Sequence, residues 1–264
     1  MEANAINPAA ETNSPYGTAL VKAVKILEFL ADQPRGQGAS EIARQTGMNK
    51  ATAFKLLETL QMVGFVEKSP QDSRYKLGFG LIKIACNSLQ QIDIVTITAP
   101  FLAELNQDTA ETIHLAVLNH SDLIYVAKLE STQPVRTISR IGSTAPLYCT
   151  GMGKAMLSTF THREAEAYLA GTCLERHTPS TITDKNELRR ELELVRQQGY
   201  AVDNSEHEAD IRCIAVPLLA KARLWGSISI SAPKYRMDDA AIQRHLPALF
   251  AVQRKIIERL AAAF

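Results

Sequence analysis

Residues 39–68, ASEIARQTGMNKATAFKLLETLQMVGFVEK, constrain the fold of this chain more than any other stretch. In order they hold a short helical segment, a glycine, a second amphipathic segment and an alternating apolar–charged run. Ser40 is placed to cap the first helix, its hydroxyl accepting from the free amides of the first turn, with Ile42 and Ala43 on the buried side. Gly47 stops that helix, since the residue just past a helix often takes positive φ, where glycine carries no steric cost. Asn49 starts the next one. Ala53, Leu56, Leu57 and Leu60 then fall at i, i+3, i+4 and i+7, a stripe for packing. Lys50, Ala51, Thr52, Phe54, Lys55 and Glu58 are left pointing outward.

Past Gly64, Phe65–Lys68 alternates apolar with charged, residues 69–73 (SPQDS) are turn chemistry, and Arg74–Leu77 alternates again. Helix, turn, helix and hairpin make a winged helix-turn-helix, whose second helix lies in the major groove with its N-terminal residues at base edges and phosphates. Lys50, Thr52 and Lys55 fit that role, and Arg74 and Lys76 flank the hairpin tip within reach of phosphate. The competing reading is that two amphipathic helices and a hairpin are ordinary core pieces. Bulk charge separates the two only weakly: residues 17–80 hold nine Lys and Arg against six Asp and Glu, and the whole chain carries +1. Placement decides, because the basic residues gather on the reading helix and the wing.

At 264 residues, 46% hydrophobic and 22% charged, the chain has room for two domains and the composition of a soluble globular protein. No apolar run approaches the roughly 18 residues of a membrane span, and the opening MEANAINPAAETNSPYGT has no basic start followed by an apolar core. A cytoplasmic location and no membrane partner are expected. Cys86, Cys149, Cys173 and Cys213 lie far apart without a C-x-x-C pair, so neither a zinc finger nor a disulfide framework is indicated.

The chain divides into a tail at 1–16, a winged helix-turn-helix domain at 17–80, a linker helix at 81–93 and an effector-binding domain at 94–264. Thr18–Ala31 reads as a first helix with Leu20, Val24, Leu27 and Ala31 on one side. Leu81, Ile82, Ile84, Ala85, Leu89 and Ile92 give the linker more apolar surface than a free helix should show, suited to a second copy or to its own domain. Beyond Ile94 the expectation is mixed: a helix over Pro100–Asn106 and strands near Thr112–Leu118, Leu123–Leu129 and Val135–Ile141. A charged helix over Glu187–Gln198 follows, then strands near Tyr200–Val202, Arg212–Leu218 and Trp225–Ser231, and a last helix over Asp238–Ala262.

Five segments in this order, SEIARQTGMNKATAFKLLETL, SRYKLG, RIGSTAPLYCTGMGKAML, DNSEHEADIRCIAVPL and SISISAP, resemble the IclR family of bacterial transcription regulators. The likeness spans Leu20 to the final helix. It implies an α+β chain: a winged helix-turn-helix, a linker helix, and a GAF- or profilin-like domain with a largely antiparallel sheet flanked by helices. It also implies a homodimer or dimer of dimers on a palindromic operator in double-stranded DNA, a small organic acid as effector, no cofactor and no catalysis. The run from Arg140 to Leu157, with RCIAVP later, looks most like the branch that senses sugar acids. Departures are Ala51 where the family commonly has serine, Lys55 where it has arginine, and Asp210 where it has glycine. The candidate DNA contacts are Ser40, Asn49, Lys50, Ala51, Thr52, Phe54, Lys55, Arg74 and Lys76.

The same likeness places effector contacts at the amides of Gly151 and Met152, at Asp203, Cys213, Ser229 and Ser231, with Leu147 in the apolar wall. Thr150–Gly153 opens a helix over Lys154–Thr159, where free backbone amides suit a carboxylate. Asp203 can accept from a ligand hydroxyl, and Ser229 and Ser231, two apart on a strand, share one face. Serines alternating with isoleucine also describe the solvent side of a sheet. Cys213 in its apolar run is by type a small buried hydrophobe. Glu206, His207 and Cys213 lack a zinc spacing, and Gly151–Lys154 lacks the first glycine and the hydroxyl of a phosphate loop. The rival function is an enzyme using Cys213 or Cys149 as nucleophile with His207 or His114 as base, without a third orienting group at a known spacing.

Overall fold

The computed structural model describes residues 17–90, 93–135 and 139–263, which form two compact units divided at residue 91. The expected tail at 1–16 lies outside the described residues. The first unit holds α1 (Thr18–Ala31), α2 (Ala39–Gln45), α3 (Lys50–Met62), β1 (Val66–Lys68), β2 (Tyr75–Leu77) and α4 (Phe79–Gln90). Ile26, Leu30, Ile42, Leu57, Leu60, Val66 and Tyr75 form its core. The buried side of α1 is therefore Ile26 and Leu30, while Leu20 and Val24 of the expected side are exposed. Both stripes have helical spacing, and only the position of α2 and α3 selects between them. Gly47 takes φ +66, the left-handed turn between α2 and α3 that only glycine adopts freely.

The second unit is α5 (Asp93–Thr109), β3 (Thr112–Asn119), β4 (Asp122–Leu129), β5 (Thr144–Pro146), α6 (Gly151–Leu157), α7 (His162–Gly171), α8 (Lys185–Gln198), β6 (Ala201–Asn204), β7 (Ile211–Ala220), β8 (Arg223–Pro233) and α9 (Asp239–Ala263). Its six strands run β5-β4-β3-β8-β7-β6, each pair antiparallel. One face carries Ile113, Leu115, Ile214, Val216, Ile228 and Ile230 against Leu102 and Leu105 of α5 and Leu249, Val252 and Ile256 of α9. The other carries Ala116, Leu123 and Ala215 against Met152, Met156 and Leu157 of α6 and Leu188, Leu192 and Val195 of α8. Two buried faces explain why β7 reads as a long apolar run.

The strand expected near Val135–Ile141 does not form at its described ends: Val135 and residues 139–141 are bends, turn and irregular chain, and 136–138 lie outside the described residues. The edge position beside β4 goes to Thr144–Pro146 instead. The linker starts two residues early, at Phe79, and leaves Ile82 and Ile84 exposed. The side chain of Leu89, and Ile92 entirely, lie outside the described residues. Among the described residues no helix is long and apolar enough to cross a membrane.

Candidate functional site: reading helix and buried pocket

At the start of α3, Asn49 is extended and its Oδ1 accepts from Thr52 N at 2.8 Å. That cap satisfies a free first-turn amide and fixes where the helix begins. Lys50, Ala51, Phe54 and Lys55 are exposed and Thr52 is half-buried. Among the described residues neither Lys50 nor Lys55 has an ion-pair partner, whereas Arg74 lies 3.6 Å from Asp72 and Lys76 3.4 Å from Glu67. Ser40 does not cap α2. The helix starts two residues earlier than a Ser40 cap would set it, at Ala39; Gly38 is the extended cap without a side-chain bond, and Ser40 sits inside the first turn. A sequence read for capping side chains passes over a glycine cap, which has none. Arg35 and Lys68, not foreseen, join Arg74 and Lys76 around one cleft beside the wing.

The second unit holds a cavity of about 40 Å3 lined by Thr150, Gly151, Met152, Asp203, Cys213, Ser229 and Ser231, with His114, Tyr125, Ser139, His207, Glu208 and Ile211. By the measure in which one water needs roughly 10–15 Å3, it has room for a few waters or a small ligand. Three elements build it. Thr150 caps α6, its Oγ1 accepting from Gly153 N at 3.2 Å, and the first in-helix bond runs from Lys154 N to Thr150 O. The amides of Gly151 and Met152 therefore precede the helical ladder. In β8, Ser227, Ser229 and Ser231 are all buried, so the alternation with isoleucine marks a pocket side rather than a solvent side.

Register brings His114 of β3 opposite Ser229. Its Nδ1 meets Ser231 Oγ at 3.2 Å and Ser229 Oγ at 3.4 Å, and its Nε2 meets Ser139 Oγ at 2.6 Å. Burial, with Lys128 adding to it, lowers the His114 pKa to about 3, so the ring is neutral at physiological pH. From β6, Asp203 is buried, its Oδ1 accepts from Glu206 N at 2.7 Å and its Oδ2 lies 3.9 Å from Cys213 Sγ. Burial pushes the Asp203 carboxyl up to about 7, against the amide of Glu206 and the charge of Lys154. No Lys or Arg is among the described lining residues.

Leu147 does not line the cavity. It is fully buried in the layer between the sheet and α6, and its backbone lies where a Cβ on Gly153 would fall. Tyr125, Ser139, Glu208 and Ile211 were not foreseen, because a lone residue on a strand or loop carries no spacing signal. For the cysteine rival, burial raises the Cys213 thiol far above its ordinary range and Cys149 to about 12, and Cys213 Sγ points a weak donor at the Asp203 carboxyl. A thiol so placed stays protonated, which is the reverse of activation.

Family models match both units: "IclR helix-turn-helix domain" over residues 19–70 and "Bacterial transcriptional regulator IclR C-terminal" over residues 86–258. The chain belongs to the IclR family. It is 33% identical over 240 residues to the HTH-type transcriptional regulator KdgR of Escherichia coli K12, covering 90% of this chain and 91% of that protein. It is 31% identical over 229 residues to the HTH-type transcriptional regulator XynR of the same organism, with 86% and 91% covered. The crystal structure of the Thermotoga maritima IclR superposes with a TM-score of 0.74 at 33% identity, over 92% of this chain and 98% of that one. As an IclR-type regulator the chain has a helix-turn-helix of the DNA-binding kind in its first unit, and the IclR effector domain is the unit that holds the pocket. Among the described residues no cluster of His, Cys, Asp and Glu is arranged to hold a metal ion.

Proposed function

We propose that this IclR-type chain controls a catabolic operon, and that a small hydroxylated organic acid, such as a sugar acid, sets its hold on the operator. One observation carries the reading. Thr150, Gly151, Met152, Asp203, Cys213, Ser229 and Ser231, scattered over more than eighty positions, converge on one cavity, in a unit separate from the one bearing Lys50 and Lys55. The amides of Gly151 and Met152 suit a carboxylate, and Asp203 with the two serines suits hydroxyls. With no cation among the described lining residues, neutral donors hold the charge.

On the DNA side, α3 enters the major groove through Lys50, Thr52 and Lys55, with Ala51 and Phe54 against base edges, while Arg74 and Lys76 hold phosphates from the wing. Exposed Leu20, Val21 and Val24 on α1 and Phe79, Ile82 and Ile84 on α4 supply apolar surface for a homodimer or dimer of dimers on a palindromic site. The acid acts by favouring one of two dimer arrangements, since only differential affinity shifts an equilibrium, and α4 is the element through which the change passes. Footprinting of the upstream region with and without candidate acids tests this. Operator occupancy that ignores every acid bound by the second unit rejects it.

A further inference from the structure

Lys154 belongs to the helix that opens on the pocket, yet it is 1% exposed and does not line the cavity. Its Nζ donates to Glu206 Oε1 at 2.5 Å and to Glu191 Oε1 of α8 at 2.8 Å. Burial alone would pull its pKa down, but the two carboxylates outweigh that and hold it charged. Glu206 is the residue whose backbone amide caps Asp203 Oδ1. It is 3% exposed, and its other oxygen, Oε2, has no hydrogen-bond partner among the described residues. Lys154 is therefore the main compensation for a carboxylate that burial makes expensive.

The turn that carries Glu206 is itself unfavourable. Ser205 takes φ +61, the left-handed region that non-glycine residues enter at a cost and keep only where the surroundings impose it. Thr178 Oγ1 donates to Ser205 O at 2.6 Å, Thr181 Oγ1 donates to Glu206 O at 2.6 Å, and the Lys154 ammonium holds the Glu206 side chain. Three bonds from Thr178 and Thr181 hold the carbonyls, Asn204 N donates to Glu206 Oε1 at 3.3 Å and Glu206 N to Asp203 Oδ1 within the turn, and Lys154 supplies the charged bond to the Glu206 side chain.

We infer that Lys154 is a positioning residue of the pocket: pinned between Glu191 and Glu206, it holds the 203–206 turn so that Asp203 presents Oδ2 to a ligand hydroxyl. Selectivity for hydroxylated acids over their deoxy analogues then depends on a side chain that never touches the ligand. The selectivity half rests on the proposed function, and the geometric half does not.

The test uses the full chain with Lys154→Met, which keeps the length and apolar stem and removes the charge. The geometric readout is hydrogen exchange at the Glu206 amide, which should accelerate about tenfold or more once one charge-assisted bond no longer holds the turn. The selectivity readout is the affinity for lactate against propionate, acids small enough for the cavity and differing by one hydroxyl. The unaltered chain should prefer lactate by about tenfold, the worth of one such hydrogen bond, and Lys154→Met should bring the ratio close to one. A folded variant that keeps the Glu206 amide protected, or that weakens both acids equally, overturns the inference. If Lys154→Met does not fold, the pair Lys154→Met with Glu206→Gln removes both buried charges, and protection at residue 206 decides in the same way. If neither acid binds the unaltered chain, the reading of the pocket as a hydroxy-acid site fails for short acids, while the exchange result still rules on Lys154.

Discussion

Asp203 contributes a pH dependence to the second unit. Burial lifts its carboxyl to about 7 from an ordinary 3.8. Between those values the folded chain keeps a proton that the unfolded chain has released, so this group's contribution to stability falls as pH rises through the window. Asp203→Asn cannot ionise. Its melting temperature relative to the unaltered chain should therefore be more favourable at pH 8 than at pH 5, as thermal melts across that range would show. An ionised Asp203 also repels a carboxylate, so acid binding should be tighter at pH 6 than at pH 8, and the dependence should vanish in Asp203→Asn. Gly153 makes a steric prediction. A Cβ there falls on the backbone of Leu147, so Gly153→Ala should cost about 1–3 kcal/mol by overpacking, read from the urea midpoint, and loosen α6 at the pocket. These two residues also show what a sequence discloses at this scale. Asp203 is a carboxyl in an otherwise unremarkable strand, and it was reached through likeness to a family. Leu147 was given to the pocket wall by the same likeness, and the close approach of Gly153 to its backbone, invisible without coordinates, turns it into the core instead.

Elements were easier to read than residues where a periodic pattern met a clear start or stop. The α1 bounds agree with expectation at both ends, and α3 begins where Asn49 announces it. Asn49→Ala removes the bond to Thr52 N and should cost about 1 kcal/mol, measurable as a lower stability of the full chain and a frayed first turn of the reading helix. α7, His162–Gly171, was not foreseen although Thr161 and Glu164 form a complete capping box, because only Ala165 and Leu169 of that helix are buried and the apolar stripe is thin. Val135–Ile141 is rich in β-branched residues like a strand, but the hydrogen-bonding edge of β4 is taken by Thr144–Pro146. Which segment pairs at an edge is settled by competition between neighbours, and a single segment's pattern does not contain that competition.

At the scale of the whole molecule, the two units should respond independently to the right substitutions. Lys55→Ala should weaken operator binding by about 1–3 kcal/mol if it reads a base, or reduce the salt dependence by about one phosphate contact if it does not, with acid binding unchanged; titrations at several salt concentrations distinguish these. Asp203→Ala should do the converse. The α+β class was legible because helices with one short hairpin give way beyond Ile94 to a mixture of helices and several strands. The strand order was not, since β3 sits between β4 and β8 and adjacency in a sheet is not adjacency in a chain.

That order bears on synthesis. β3 ends at Asn119 and its second partner begins at Arg223, so the middle of the sheet stays open until nearly all of the polypeptide has left the ribosome. Residues 17–90 make their own core and can finish first. At roughly 5–20 residues per second the closing strand arrives many seconds later, and through that interval residues 17–90 can already be packed while the cavity still lacks Ser229 and Ser231.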